Sequence, residues 1–125
     1  MNTKTLLVIA ALGSAAAGPA LAHHAFNMYD NSRYLPLSGT VKSWDWKNPH
    51  VYMILETTKP DGGSETWNVE LSSPNIIGRK GWTSKSLKVG DKISKLTLHP
   101  MKDGSNYGLM VSVVTPSGET LKDKD

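Results

Sequence analysis

Four histidines carry the chemistry this sequence offers: the adjacent pair His23-His24, His50 after Asn48-Pro49, and His99 before Pro100. Imidazole suits copper, zinc and nickel, and copper takes planar nitrogen sets best. A histidine at a free amino terminus binds through its α-amine and its ring nitrogen together. One further histidine then completes a T-shaped arrangement, the histidine brace. In a second, local geometry, the ring of His24 joins the preceding amide and amine, and Asp30 or Tyr29 supplies an oxygen. The pattern makes His23 and His24 the primary candidate metal ligands and His50 and His99 the candidates to complete the site. Each has a plainer reading beside this one. A histidine before proline is often a polar strand end, a histidine after Asn-Pro can satisfy a turn carbonyl, and a terminal pair can be a frayed end.

The case for His23 rests on what precedes it. Lys4 gives a short positive region, Leu6-Leu7-Val8-Ile9-Ala10-Ala11-Leu12 an apolar one too short to span a bilayer, and Gly18-Pro19 breaks any helix before Ala20-Leu21-Ala22. This is the layout of a secretory signal peptide with its small-residue cleavage site. Residues 1–22 are expected to be removed after Ala22, leaving a periplasmic protein that starts at His23.

About 100 residues then remain, one small domain with one modest core. The whole chain carries a net charge of +3, and its lysines are scattered: Lys85, Lys88, Lys92 and Lys95 are separated by apolar or turn residues. They read as a solvated face, not as a phosphate-binding stripe, and no nucleic acid is expected as a partner. There are no cysteines. Disulfides and thiolate metal sites are thereby excluded, and the fold must hold by packing. No second apolar run approaches membrane length, so the mature form is not expected to span a membrane.

The elements that must position the histidines are mostly strands. Residues 23–37 mix types without a period and read as an N-terminal arm, with Phe26, Met28, Tyr29 and Tyr34 packed on the domain. Residues 38–117 form the domain. Gly39 to Trp46 alternates, with Val41 on one face and Thr40, Trp44 and Trp46 on the other. His50 to Thr57 is a second strand rich in β-formers. Pro60-Asp61-Gly62-Gly63 is a hairpin turn, and Glu65 to Leu71 follows with Trp67, Val69 and Leu71 on one face. Ser73 caps a short helix with Pro74 in its first turn and Ile76 and Ile77 facing inward. Lys92 to His99 is the fourth strand, where Ile93 is out of phase with Leu96 and Leu98, so a bulge near Ser94-Lys95 is expected. Tyr107 to Thr115 is the fifth. The charged tail, residues 118–125, is expected to fray.

Three strands, a short helix and two more strands make up the layout of a five-stranded OB-like barrel, mainly β, with its helix between strands three and four. Another small barrel or sandwich with a helical plug is the alternative. In the OB layout, the loops joining strands one to two and four to five border one face. His50 leaves the first loop and His99 enters the second. An extended residue spans roughly 3.3 Å, so the arm is long enough to bring His23 and His24 to the same end.

Other chemistries find less support. Glu56, Glu65 and Glu70 lie on strands near tryptophans, but no two carboxylates have a spacing that implies acid–base work. No serine has the context of a nucleophile elbow, and phosphate-binding glycine loops are absent. Trp44, Trp46, Trp67 and Trp82 could form a stacking platform, although a small domain without cysteines needs their area for core and rim.

The chain resembles a family of short exported proteobacterial proteins classed as a domain of unknown function. The likeness lies in His23-His24-Ala25-Phe26 through Tyr29-Asp30, Gly39-Thr40-Val41, Asn48-Pro49-His50, Trp67 with Glu70, and Ser73-Pro74. It continues in Lys80-Gly81-Trp82, Leu87 through Gly90-Asp91, and His99-Pro100 with Asp103-Gly104-Ser105. Many relatives carry Arg where this chain has Lys80. The resemblance implies export and a small β-domain and transfers no catalytic assignment.

The expected function is therefore a periplasmic metal-binding protein, copper(II) favoured, that holds, buffers or passes on the ion, with an envelope protein as a candidate partner. The alternative is a metal-free interaction module that takes a protein, oligosaccharide or small molecule on its aromatic face. Oxidative copper catalysis shares the brace geometry but needs an open coordination position and a broad substrate surface.

Overall fold

The structure is a computed structural model and describes residues 27–125. Residues 1–22, expected to be a signal segment, and His23, His24 and Phe26 lie outside the described residues. Six strands and one short helix follow in order: β1 (Leu35–Asp45), β2 (Tyr52–Thr58), β3 (Ser64–Glu70), α1 (Pro74–Gly78), β4 (Lys92–Pro100), β5 (Tyr107–Val114) and β6 (Thr120–Lys122).

β1, β2 and β3 form an antiparallel meander. The β2–β3 turn closes on a bond from the Lys59 N–H to the Gly63 carbonyl, 2.7 Å. Gly62 there takes a φ of 88°, which a residue without Cβ adopts at little cost. β1 also pairs with β4, and β4 with β5, both antiparallel. β3 and β5 run parallel through Asn68–Tyr107, Val69–Gly108 and Glu70–Leu109, and this pairing closes the five strands into a barrel. The OB-like barrel expected from the sequence is present. α1 stands between β3 and β4, with Ser73 at its N-cap accepting from the Ile76 N–H and Pro74 in its first turn. Its Ile77 is fully buried and packs with Trp82 and Leu87 into the core of inward strand residues. Ile76, expected to face inward beside it, is exposed, because α1 has a single turn and turns only one of the two isoleucines to the barrel.

Two irregularities in the pairing of β1, one on β1 itself and one on β4, set which residues face that core. Between Val41 and Ser43 the register with β2 shifts, so that Val41 opposes Leu55 and Trp44 opposes Met53. Both partners are buried, which places Val41 and Trp44 on the same side. Simple alternation places them on opposite faces, and the extra residue at Lys42 reverses it. Trp44 and Trp46 both pack against the core. The second irregularity is the bulge expected near Ser94-Lys95: Gly39 opposes Ile93 and Leu37 opposes Leu96, so Ser38 faces both Ser94 and Lys95. A Cβ on Gly39 would lie 2.1 Å from the Glu56 carbonyl oxygen. Only glycine lets β1 and β2 approach this closely.

The tail does not fray. Residues 120–122 form β6, which continues the edge of β5 that β3 leaves, through Ser112–Lys122, Val113–Leu121 and Val114–Thr120. Leu121 and Asp123 are buried. A carboxylate oxygen of Asp123 accepts the Ser72 N–H at 2.8 Å, and the Trp82 indole N–H donates to the Lys122 carbonyl at 2.8 Å. Lys80 donates to the Asp123 carbonyl. The charge density that suggests a solvated end instead serves one buried acceptor, and alternating Leu121 and Asp123 supply the inward side.

Candidate functional site

Trp67 and Val69 of β3, and Leu71 just after it, are the inward residues, which leaves Glu70 on the outer surface of the barrel. The register extends that position into a row across four strands. Tyr52 on β2 opposes Glu70, Glu70 opposes Leu109 on β5, and Leu109 opposes His99 on β4. An outward row on a small barrel is ordinarily wet. Here Glu70, Leu109 and His99 are all buried: the arm reaches Glu70 through Tyr29 and His99 through Arg33, and the tail reaches His99 from the other side.

The arm is fixed along the end of β4 by main-chain bonds. Tyr29 bridges to Met101, the Asp30 N–H donates to the Pro100 carbonyl at 2.8 Å, and the Lys102 N–H donates to the Met28 carbonyl at 2.9 Å. These bonds turn the Tyr29 side chain inward, where it is 5% exposed. Met28 and Tyr34, also expected to pack, are largely exposed, although Tyr34 keeps one face on the His99 ring with centroids 4.8 Å apart.

Tyr29 donates its hydroxyl to Glu70 Oε2 at 3.0 Å. On the other oxygen, His50 Nδ1 lies 2.5 Å from Oε1, a close contact without the alignment of a good hydrogen bond. A carboxylate in contact with Nδ1 favours the tautomer that carries the proton on that nitrogen. Nε2 is then the nitrogen with the ligating lone pair in the neutral ring. The His50 side chain is 26% exposed, and its ring stacks at 6.4 Å on that of Tyr52. Burial, and next the Glu70 charge, push the Tyr29 phenol well above its ordinary pKa, and the same two causes in the same order raise Tyr52. Both phenols therefore stay protonated, and Tyr29 serves the carboxylate as a donor.

His99 is used differently. Its Nδ1 lies 2.7 Å from the Arg33 carbonyl of the arm and its Nε2 2.9 Å from the Asp125 oxygen of the tail. Both ring nitrogens are thus occupied by oxygens of other segments. His50 touches Glu70, and His99 lies two row positions from Glu70 with Leu109 between them. Any metal taken by His99 displaces a main-chain contact first. Asp30, a candidate oxygen ligand, holds the Ser32 N–H at 3.1 Å and hydroxyl at 2.6 Å, and these bonds keep its carboxyl below the usual value. Among the described residues, no three His, Asp or Glu side chains gather as a group that could hold a metal.

The tryptophans are consolidated with the core. Trp44 stacks on Trp82 with centroids 6.1 Å apart, lies 6.0 Å from Trp46, and donates its indole N–H to the Ser84 carbonyl at 2.9 Å. The sequence offers Tyr29 as an arm residue packed on the domain or an oxygen ligand, and Glu70 only as a strand carboxylate without an acid–base partner; the pairing of the two is not legible in it. Strand phase marks Glu70 as outward, and nothing in the phase tells that an arm will cover it. The signal available was the combination of a carboxylate on an outward position with tyrosines at Tyr29 and Tyr52.

Among the described residues no helix is long and apolar enough to cross a membrane. Comparison with curated proteins and with solved structures returns no match to either. A family model described as a family of unknown function, DUF6152, matches residues 11–111. That match takes in the arm, the paired residues Tyr29, His50, Glu70 and His99, and all of the barrel up to β5, and the chain belongs to this family of unknown function.

Proposed function

We propose that the protein is exported to the periplasm, is cut after Ala22, and binds a transition-metal ion, copper(II) favoured. The α-amine and rings of His23 and His24 provide the primary ligands, and His50 joins them through Nε2. The single observation that carries this reading is the contact of His50 Nδ1 with the buried Glu70 carboxylate at 2.5 Å. A carboxylate on the far nitrogen fixes the tautomer and orientation of a metal-binding imidazole and raises its basicity. Tyr29 supports it, because its bond to the same carboxylate roots the arm beside His50. His24 is five residues upstream, within roughly 17 Å of chain. His99, engaged by the arm and the tail, serves as an anchor of the covered surface and is the last of the four histidines to be recruited. The role is holding, buffering or passing on the ion.

The test is a competitive copper(II) titration of protein beginning at His23, beside the same protein with one extra residue before it. Tight one-to-one binding only by the former supports the reading. Equal, weak binding by both removes it. The second reading, a metal-free interaction module, is favoured by the exposure of Tyr52 and Tyr107, 42% and 47%, on the outer face. It gains if the titration fails and replacement of these tyrosines abolishes capture of an envelope partner.

A further inference from the structure

We propose that α1 and the connection from it into β4, residues 76–95, form a docking surface for an anionic phospholipid membrane, on which the barrel lies without spanning the bilayer. The proposal stands on charge and exposure and is independent of any metal.

The positive charge of the chain is collected in this segment. Residues 79–95 hold six of the 14 Lys and Arg and one of the 11 Asp and Glu, a net +5 against +3 for the whole chain. Along the sequence these cations are interrupted by apolar and turn residues, which reads as a solvated face. The fold shows where the interruptions go. Ile77, Trp82, Leu87 and Ile93 are buried in the core, whereas Arg79, Lys80, Lys85, Lys88, Lys92 and Lys95 are all exposed. The segment is laid flat on the barrel, with its apolar residues beneath and its cations above. The indole N–H of Trp44, on the Ser84 carbonyl at 2.9 Å, ties it to the end of β1. Lys80 and Lys88 stand 3.9 and 2.6 Å from the carboxylates of Asp123 and Asp91. Arg79, Lys85, Lys92 and Lys95 have no carboxylate partner among the described residues.

Cations alone would suit any polyanion. A bilayer is favoured by the apolar side chains set among them. Ile76 and Val89 are 49% and 63% exposed, and the other large apolar side chains left as open are Met28 and three tyrosines. Val89 stands at the tip of a turn in which the Asp91 N–H donates to the Lys88 carbonyl at 3.1 Å and Gly90 has a φ of 94°. Polar residues are the usual choice at such a tip. The turn is pinned to β1 by the Gly90 N–H on the Val41 carbonyl and the Val41 N–H on the Asp91 carbonyl, at 2.8 and 2.9 Å. Val89 is thus presented by a fixed turn and loses little freedom on entering the headgroup layer. Anionic lipid attracts the cations, and burial of the apolar pair adds a short-range contribution that a soluble polyanion lacks.

The test uses protein beginning at His23, so that the apolar residues 6–12 cannot themselves insert, with phosphatidylcholine vesicles made with and without phosphatidylglycerol. The chain has no cysteine, so Val89→Cys and Ser64→Cys each take a single polarity-sensitive dye, the second beside the β2–β3 turn. Cosedimentation is expected only with phosphatidylglycerol and should weaken with added salt. Dye emission should shift to the blue at position 89 and not at position 64. Arg79→Gln combined with Lys85→Gln should lower affinity about 30-fold, at about 5-fold per charge. Ile76→Ser combined with Val89→Ser should lower it about 10-fold. Equal binding to both kinds of vesicle, binding to neither, no shift at position 89 or an equal shift at both positions overturns the proposal. So does unchanged affinity in the double serine variant, which would make the segment a polyanion site of charge alone. The dye comparison keeps every cation in place and decides the matter even if a charge variant fails to fold.

Discussion

Tyr29 and His50 sit on opposite oxygens of one carboxylate, that of Glu70, at 3.0 and 2.5 Å. One belongs to the arm, the other to the loop entering β2, and the carboxylate is the last residue of β3. The three come together because the outward row of the barrel passes under the arm. A buried carboxylate in this position is tolerable only with its donors, and the donors are held by it in turn.

This mutual dependence predicts non-additive stability. Tyr29→Phe removes one hydrogen bond to a charged group and should cost about 2 kcal/mol. Glu70→Ala leaves both the Tyr29 hydroxyl and the His50 proton facing nothing and should cost roughly 3 kcal/mol or more. In the double variant the hydroxyl is gone as well, so the combined cost should fall short of the sum by about 1 kcal/mol. Urea unfolding of the four proteins measures this cycle. Additive costs would mean that Tyr29 and Glu70 act independently.

The raised pKa of Tyr29 gives a pH dependence with a definite sign. Its folded-state value lies above the unfolded one, from burial first and the Glu70 charge second. The stability linked to it is therefore complete below the unfolded value, about 10, and declines as pH rises above that toward the folded value. Unfolding then releases a proton, so stability should fall by up to about 1.4 kcal/mol per pH unit. Absorbance at 295 nm should show a late tyrosine step that coincides with loss of structure. In Tyr29→Phe the late step should shrink. A late step of unchanged size would assign it to another tyrosine.

Much of the frame was legible because it depends on local signals. Ser73-Pro74 announces the start of α1, Asp61-Gly62 the turn, and the phase break at Ile93 the bulge. What escaped depends on non-local packing. The register shift at Lys42 follows from β1 having to pair with β2 and β4 at once, with Gly39 allowing the approach, and no pattern within β1 announces it. His50 and His99 were legible as chemistry, but their partners were not. Glu70, the Arg33 carbonyl and the Asp125 oxygen arrive from β3, the arm and the tail. The tail was misjudged for a related reason. Its charges were weighed as a group, although Asp123 alone is turned inward.

Asp123 therefore supplies the last test. Its side chain is fully buried, with one oxygen taking the Ser72 N–H and the other 3.9 Å from the Lys80 ammonium. Ser72 stands immediately before the cap of α1, so the tail fastens the start of the helix. Lys124 and Asp123 add main-chain bonds to Met110 and Val111 on β5 at 3.2 and 2.8 Å. Asp123→Ala leaves the Ser72 N–H unsatisfied in a buried place and should cost about 2–3 kcal/mol. Asp123→Asn keeps an acceptor for that N–H and gives up only the charge, so it should cost about 1 kcal/mol less. Deleting residues 119–125 removes β6, uncovers the Trp82 indole N–H and exposes the edge of β5, and should lower stability further than Asp123→Ala does. Thermal and urea unfolding of the three variants give the order. If the deletion leaves stability unchanged, β6 is an ornament of the barrel and the helix is held by Ile77 alone.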